Sequence, residues 1–155
     1  TPTQHLFTAG LLLSSVLNLL WVMALLRVGK EYGISPWPAL SMLLFSFLAG
    51  PALFPMPLPA HGLSGLPFPF FMVSPLLAMV LWRRSPVWSR LRYAAFAGMT
   101  FFALGFLIFF PDILPAYFGL KQRFLYLGWT IWSVGLTWSM VCLLRSGELA
   151  ADRTG

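Results

Sequence analysis

The hydrophobic residues of this chain fall into long runs separated by short polar stretches. A helix that crosses a lipid bilayer needs about 20 mainly apolar residues. Five runs meet or approach that length, at residues 6–26, 37–54, 67–82, 93–110 and 124–144. None of them contains Asp, Glu, Lys, Arg or His. The pattern therefore predicts an all-α fold, a polytopic transmembrane helical bundle with five spanning helices.

The composition supports a lipid environment. Of the 155 residues, 59% are hydrophobic and 9% are charged, whereas soluble domains carry about 25% charged residues. A soluble chain of this size has too small an interior to bury so much apolar surface. We therefore expect membrane lipids as partners. The net charge of +6 is not taken as a sign of nucleic-acid binding, because the cations lie in short segments between apolar runs.

Lys and Arg are distributed unevenly between the two predicted sides of the membrane. One side receives eight of them: Arg27, Lys30, Arg83, Arg84, Arg90, Arg92, Arg145 and Arg153. The other side receives two, Lys121 and Arg123. Since cytoplasmic loops are enriched in Lys and Arg, we predict a bacterial inner-membrane protein with its N-terminus outside. Residues 1–145 form the transmembrane domain, and 146–155 form a polar cytoplasmic tail.

Two pairs of glycines are spaced for close packing of the last two helices. Gly98 and Gly105 are seven residues apart on the fourth predicted helix, as are Gly128 and Gly135 on the fifth. Seven residues make about two helical turns, so each pair lies on one helix face. Because small residues let helix backbones approach each other in lipid, we predict that these two antiparallel helices pack through the glycines.

The first predicted helix carries three polar side chains within about one turn, Ser14, Ser15 and Asn18. Such groups hydrogen-bond to neighbouring helices in membrane proteins. They are also suited to line a ligand site. The sequence leaves both interpretations open.

Proline is concentrated in the middle of the chain. Because a proline ring disfavours helix interiors, we expect residues 54–69 to form an extended outer loop. For the same reason we expect Pro75 to kink the third helix.

The predicted outer loops hold a cluster of chemically versatile side chains. His61 lies in the long loop, Asp112 follows the fourth helix, and Gln122 and Arg123 open the fifth. Histidine titrates near neutral pH, and a guanidinium can clamp a carboxylate or a phosphate. One hypothesis is a small ligand-binding site on the outer face. The alternative is a hydrogen-bonded network that holds the loops, with Arg123 paired to Asp112 or to backbone carbonyls.

The predicted cytoplasmic loop between the third and fourth helices is strongly basic. It contains Arg83, Arg84, Arg90 and Arg92. These arginines are expected to fix the topology. They are also candidates for binding anionic lipid headgroups, since each nearby cation adds about 1 kcal/mol of attraction.

Residues with catalytic or cofactor chemistry are sparse. The sequence has no Gly-rich phosphate loop and no paired metal-ligand motif. Two isolated histidines, His5 and His61, are a weak basis for a shared metal or haem. The aromatic residues, 17% of the chain, offer surfaces for a bound lipid or pigment. We therefore predict no enzyme activity, no metal and no required cofactor.

Several short motifs occur together along the chain. They are Ala-Gly-Pro-Ala-Leu-Phe-Pro at residues 49–55, His61-Gly62 with Ser64, Arg83-Arg84, Gly-Leu-Lys-Gln-Arg at residues 119–123, and Trp129 with Trp132. In this order, over roughly residues 6–145, they resemble a family of bacterial membrane proteins catalogued as domain of unknown function 998. The resemblance implies an integral membrane fold and no known activity. It also draws attention to His61, Gln122 and Arg123, which match motif positions of the family.

The chain departs from the family pattern in two ways. Met56-Pro57 stands where the family usually has an acidic residue soon after Phe-Pro. The family usually has six helices, so the first family helix is expected to be missing from this sequence. A missing helix would account for an N-terminus that faces outward without a signal peptide.

These observations favour a non-catalytic function. The preferred hypothesis is an accessory or scaffold subunit that contacts other membrane-protein subunits in a larger assembly. The alternative is an outer-face binding or transport protein for a lipid or small amphiphile, centred on His61 and Arg123. Transport is the less favoured part of that alternative, because ion-coupled carriers usually keep ionisable residues inside the membrane.

Overall fold

A computed structural model describes residues 2–44 and 68–151, and within those ranges the chain is helical without a strand. The α-helices are α1 (Pro2–Glu31), α2 (Trp37–Ser41), α3 (Val73–Leu81), α4 (Pro86–Phe106) and α5 (Phe118–Ala151). Three 3₁₀ segments adjoin them: Phe68–Met72, Leu107–Phe109 and Pro115–Tyr117. The predicted all-α class with five helices is confirmed.

Three segments are long and apolar enough to cross a membrane: Thr8–Glu31, Pro86–Phe109 and Pro115–Ser146. They overlap the first, fourth and fifth predicted spans. A shorter apolar helix, Phe70–Leu81, overlaps the third. The second predicted span, 37–54, lies mostly outside the described residues, so the number of spans stays a prediction.

The start of α4 differs from the start of the fourth predicted span. The helix begins at Pro86, within the basic loop, whereas the apolar run begins at residue 93. Arg is a good helix former, and proline is favoured in the first turn of a helix. The second part of the basic loop is therefore helical. The apolar run shows only which part of a helix suits lipid, and α4 extends beyond that part.

Pro75 is associated with the start of a helix. Since α3 begins at Val73, Pro75 lies in its first turn, where a backbone N–H has no partner inside the helix. The missing N–H of proline costs nothing there. The expected kink within a continuous third helix is thus replaced by a change from 3₁₀ to α-helix just before Pro75.

The core lies between α4 and α5, which make the most extensive contact of any two helices. One buried stripe of α5 faces this core, at Leu125, Gly128, Trp129, Trp132, Leu136 and Met140. Phe71, from the 3₁₀ turn before α3, packs its ring 5.1 Å from that of Trp129. It also contacts Phe102 of α4 edge-on, with ring centroids 6.4 Å apart. Aromatic packing therefore joins the 3₁₀ turn before α3 to both α4 and α5.

Side chains satisfy the backbone of the short helix α2. Asn18 of α1 donates its Nδ2 hydrogen to the Met42 carbonyl at 3.1 Å, and both residues are buried. Ser74 of α3 donates to the Pro38 carbonyl at 2.7 Å, and Trp132 of α5 donates to the Ser74 hydroxyl at 2.9 Å. Asn18 thus makes an interhelical contact, one of the two roles expected for the polar residues of the first helix.

Candidate functional site

The glycines of α4 and α5 lie where the two helices approach each other. A Cβ added to Gly128 would lie 2.8 Å from the Gly98 carbonyl oxygen and 3.0 Å from the Phe102 backbone nitrogen. One added to Gly105 would lie 2.7 Å from the Leu125 nitrogen. These are backbone contacts, which cannot move aside as a side chain can. Gly135 faces the Ala94 side chain.

Helix α4, the turn after it and helix α5 form a hairpin. This hairpin positions Lys121, which the sequence pattern did not single out. Lys121 is only 2% exposed, although it lies in the first turn of α5. Its Nζ donates a hydrogen bond to the Phe110 carbonyl at 3.0 Å, and Phe110 follows the 3₁₀ turn after α4. A buried charged side chain is a candidate functional group, because burial without charge compensation costs several kcal/mol.

Among the residues that the structure describes, the ammonium group of Lys121 uses one of its hydrogen-bond donors. It carries three N–H donors, and within residues 2–44 and 68–151 the acceptor found for it is the neutral Phe110 carbonyl. A neutral oxygen satisfies one donor without compensating the charge. A further acceptor, above all a negatively charged one, would therefore complete the hydrogen bonding of the ammonium group.

The local field around Lys121 also favours an anion. The first turn of α5 contains no acidic residue, and the N-terminus of a helix carries roughly half a positive charge. Arg123 adds an exposed guanidinium. The acid of the preceding turn is Asp112, whose side chain is exposed.

The remaining predicted site residues have different environments. Gln122 is partly buried, and its Nε2 lies 3.5 Å from the Tyr126 hydroxyl, a long contact. Asp112 and Arg123 are both exposed, and among the described residues no ion pair joins them. His61 lies outside the described residues. The described part thus brings Lys121, Gln122 and Arg123 to one end of the hairpin. The predicted outer-face site, which includes His61, stays a prediction.

Exposed apolar side chains surround this end of the hairpin. Residues 109–120 are all exposed, and they include Phe110, Tyr117 and Phe118, each more than half exposed. Leu114 has a left-handed backbone with φ 52°, a conformation that costs a non-glycine residue roughly 1–2 kcal/mol. A cation beside exposed aromatic groups is suited to a ligand with an anionic head and an apolar body.

The basic loop lies near the other end of α4. Arg83, Arg84, Arg90 and Arg92 are all exposed. Arg92 donates to the Tyr93 hydroxyl at 3.0 Å, and its guanidinium carbon lies 4.8 Å from the centre of that ring. These positions leave the arginines accessible to a membrane surface, so headgroup binding stays a prediction.

The burial of Lys121 could have been found from helical periodicity. Counting back four residues from Leu125 reaches Lys121 on the same face of α5, and Leu125 is itself one turn before the buried Trp129. The fifth predicted span begins at Phe124, so it places Lys121 in a loop and hides this relation. Among the described residues, no group of three His, Cys, Asp or Glu is arranged to hold a metal ion.

Comparison with known proteins identifies a family without an assigned function. Residues 1–139 match the family model described as "Protein of unknown function (DUF998)". This match confirms the family suggested by the sequence motifs. No curated protein and no solved structure matches the chain.

Proposed function

We propose that this chain, which belongs to the DUF998 family of proteins of unknown function, is an integral membrane protein that binds a lipid or small amphiphile with an anionic head. The site is the turn end of the α4–α5 hairpin, defined here as residues 107–123. The observation that carries the proposal is the buried ammonium of Lys121, bonded to a neutral carbonyl. This is the second of the two functions considered from the sequence, with its centre moved from His61 and Arg123 to Lys121.

The anionic head of the ligand would take the donors of Lys121 that make no hydrogen bond within residues 2–44 and 68–151. A hydrogen bond to a charged group contributes roughly 1.5–3 kcal/mol, and the helix N-terminus adds to the attraction. Arg123, two residues further along, would approach the same head from the exposed side. The aromatic side chains around the turn end would contact the apolar part of the ligand. No bond is made or broken in this function.

The first test removes the positive charge of Lys121 and measures the effect on lipid binding. The full chain is assembled in nanodiscs of phosphatidylcholine with a small fraction of phosphatidylglycerol, and retained lipids are counted by native mass spectrometry. Lys121→Gln is expected to weaken phosphatidylglycerol retention about 10-fold or more, since a charge-assisted hydrogen bond is lost. Lys121→Arg, which keeps the charge, is expected to retain most of it.

Two comparisons make this test decisive. Arg123→Gln removes a neighbouring exposed charge, so it separates a specific effect at Lys121 from general attraction to the membrane surface. Lys121→Met is a second neutral variant, to be used if the Lys121→Gln protein folds poorly. Its side chain has a similar volume to lysine but no charge. Equal retention of phosphatidylglycerol by the native chain, by Lys121→Gln and by Lys121→Met would contradict the proposal.

An accessory or scaffold subunit, the function preferred from the sequence, is the second candidate here, and the surface of α1 favours it. This helix exposes large apolar side chains at Leu13, Val16, Leu17 and Leu20, each more than half exposed. Lipid or the helices of another subunit would cover them. Purification of the native particle in mild detergent tests this function: other polypeptides in fixed stoichiometry would support it, and an isolated monomer would argue against it.

A further inference from the structure

An open groove runs along the outer surface of α5, within the segment Pro115–Ser146 that is apolar enough to cross a membrane. Its volume is about 370 Å³, and it is lined by Ser133, Val134, Thr137, Trp138 and Val141. Positions three, four and seven residues apart share one helix face, so the groove follows the helix axis. Val134 is 63% exposed and Trp138 is 60% exposed, which leaves the groove accessible from the lipid side.

The groove lies on the side of α5 that faces away from the Lys121 site. Val141 is 20 residues beyond Lys121, which corresponds to about 30 Å along the helix and a rotation of about 200° around it. Lys121 continues the buried stripe of α5, whereas Val134 and Trp138 point outward. A molecule in the groove would therefore occupy a site separate from the one proposed above.

The polar side chains of the groove are turned inward. The Thr137 hydroxyl accepts the indole hydrogen of Trp21 at 2.9 Å and donates to the Ser133 carbonyl at 2.8 Å. The hydroxyl oxygen of Ser133 is itself buried. The surface that the groove presents is thus almost wholly apolar, which suits a hydrocarbon chain better than a polar ligand.

A cation lies beyond one end of the groove. Arg145 is exposed, and it follows Val141 by four residues and Trp138 by seven, so it lies on the same face of α5. Eleven residues separate Arg145 from Val134, a distance of about 17 Å along the helix. Half of the hydrocarbon core of a bilayer is about 15 Å thick. The groove and its cation therefore match the depth of one leaflet.

We infer that the groove on α5 binds one chain of an anionic phospholipid, and that Arg145 pairs with the phosphate of its head. The apolar surface takes the chain, and a guanidinium matches the oxygens of a phosphate through paired hydrogen bonds. A second copy of the protein inserted in the same direction would place its own Arg145 at the same depth, where the two like charges repel. The position of the cation therefore favours a lipid over a second copy.

The test maps where a lipid chain lies against the full-length protein. The chain is assembled in nanodiscs of phosphatidylcholine with a small fraction of phosphatidylglycerol that carries a diazirine in its acyl chain. After irradiation, peptide mass spectrometry locates the adducts, which are expected to concentrate at residues 133–141. Unlabelled phosphatidylglycerol is expected to displace the probe about 5-fold better than phosphatidylcholine does, the effect of one cation beside an anionic head.

Two variants test the two parts of the site, each with a matched control. Val134→Trp fills the groove and is expected to lower labelling of residues 133–141 several-fold. Its control is Val80→Trp, because Val80 of α3 is 64% exposed and lies outside the groove. Arg145→Gln is expected to abolish the preference for phosphatidylglycerol. Arg90→Gln, which removes another exposed cation, is expected to preserve that preference.

Several outcomes would overturn the inference. Adducts spread evenly over the exposed apolar side chains of α5 would do so, as would an equal loss of labelling in Val134→Trp and Val80→Trp. A preference for phosphatidylglycerol that survives Arg145→Gln would remove the role of the cation. A dimeric particle without adducts in the groove would assign the groove to a second copy instead. Adducts at residues 107–123 alone would support the Lys121 site and contradict this one, so the two proposals can fail separately.

Discussion

Lys121 and Arg123 are close in sequence, yet Lys121 is buried and Arg123 is exposed. Two residues correspond to a rotation of about 200° around a helix, so the two side chains point to nearly opposite faces of α5. Lys121 continues the buried stripe that contains Leu125 and Trp129. Its charge is therefore held against α4, where Arg123 cannot substitute for it.

The glycines give the first prediction at the residue scale. Gly128→Ala is expected to lower stability by about 1–3 kcal/mol, the usual cost of overpacking, because the added methyl group meets the backbone of Gly98 and Phe102. Gly119→Ala, in the same helix, is the control, since a Cβ there meets nothing within 4 Å. Thermal unfolding in detergent measures both. A Gly128→Ala variant as stable as Gly119→Ala would show that the helices do not pack closely at Gly128.

At the scale of elements, α2 shows how a short helix can exist inside an apolar bundle. Lipid offers no hydrogen bonds to free backbone carbonyls, so irregular backbone must be satisfied by protein or water. Asn18 and Ser74 supply those bonds to Met42 and Pro38. The polar residues of α1 and α3 thus stabilise a neighbouring helix that is too short to stabilise itself.

Ser74→Ala tests this account. The substitution removes the donor to the Pro38 carbonyl and the closer of two acceptors of the Trp132 indole, the other being the Met42 sulfur at 3.1 Å. It is expected to destabilise the protein by about 1–3 kcal/mol, the cost of leaving a buried polar group unsatisfied. Ser14→Ala on the exposed side of α1 should have little effect. Thermal unfolding of the two variants in the same detergent compares them, and equal melting temperatures would contradict the proposed role of Ser74.

At the scale of the whole molecule, the charges lie near the ends of the hairpin. Lys121 and Arg123 lie at the turn end, while Arg83, Arg84 and Arg145 lie towards the opposite end. Cations enriched on one side orient a membrane protein with that side in the cytoplasm. The turn end is therefore predicted to face outward.

Cysteine labelling measures this orientation. In a Cys142→Ala background, which removes the single cysteine of the chain, Asp112→Cys and Ser89→Cys place a thiol at two exposed positions. On intact cells, a membrane-impermeant maleimide is expected to label Asp112→Cys, and to label Ser89→Cys only after permeabilisation. The reverse pattern would invert the predicted topology, and the Cys142→Ala parent controls for background labelling.

The sequence by itself determined the helical class, the family and the segments suited to a membrane, because long apolar runs and short ordered motifs are local properties of the chain. The tertiary structure decided which groups lie near one another. It buried Lys121 beside Phe110, and it brought Ser74 to Pro38 and Trp132. It also enclosed a cavity between segments more than 100 residues apart, as Tyr32 and Leu143 are. Such proximity depends on how helices pack, and hydrophobicity along the chain carries no direct information about it.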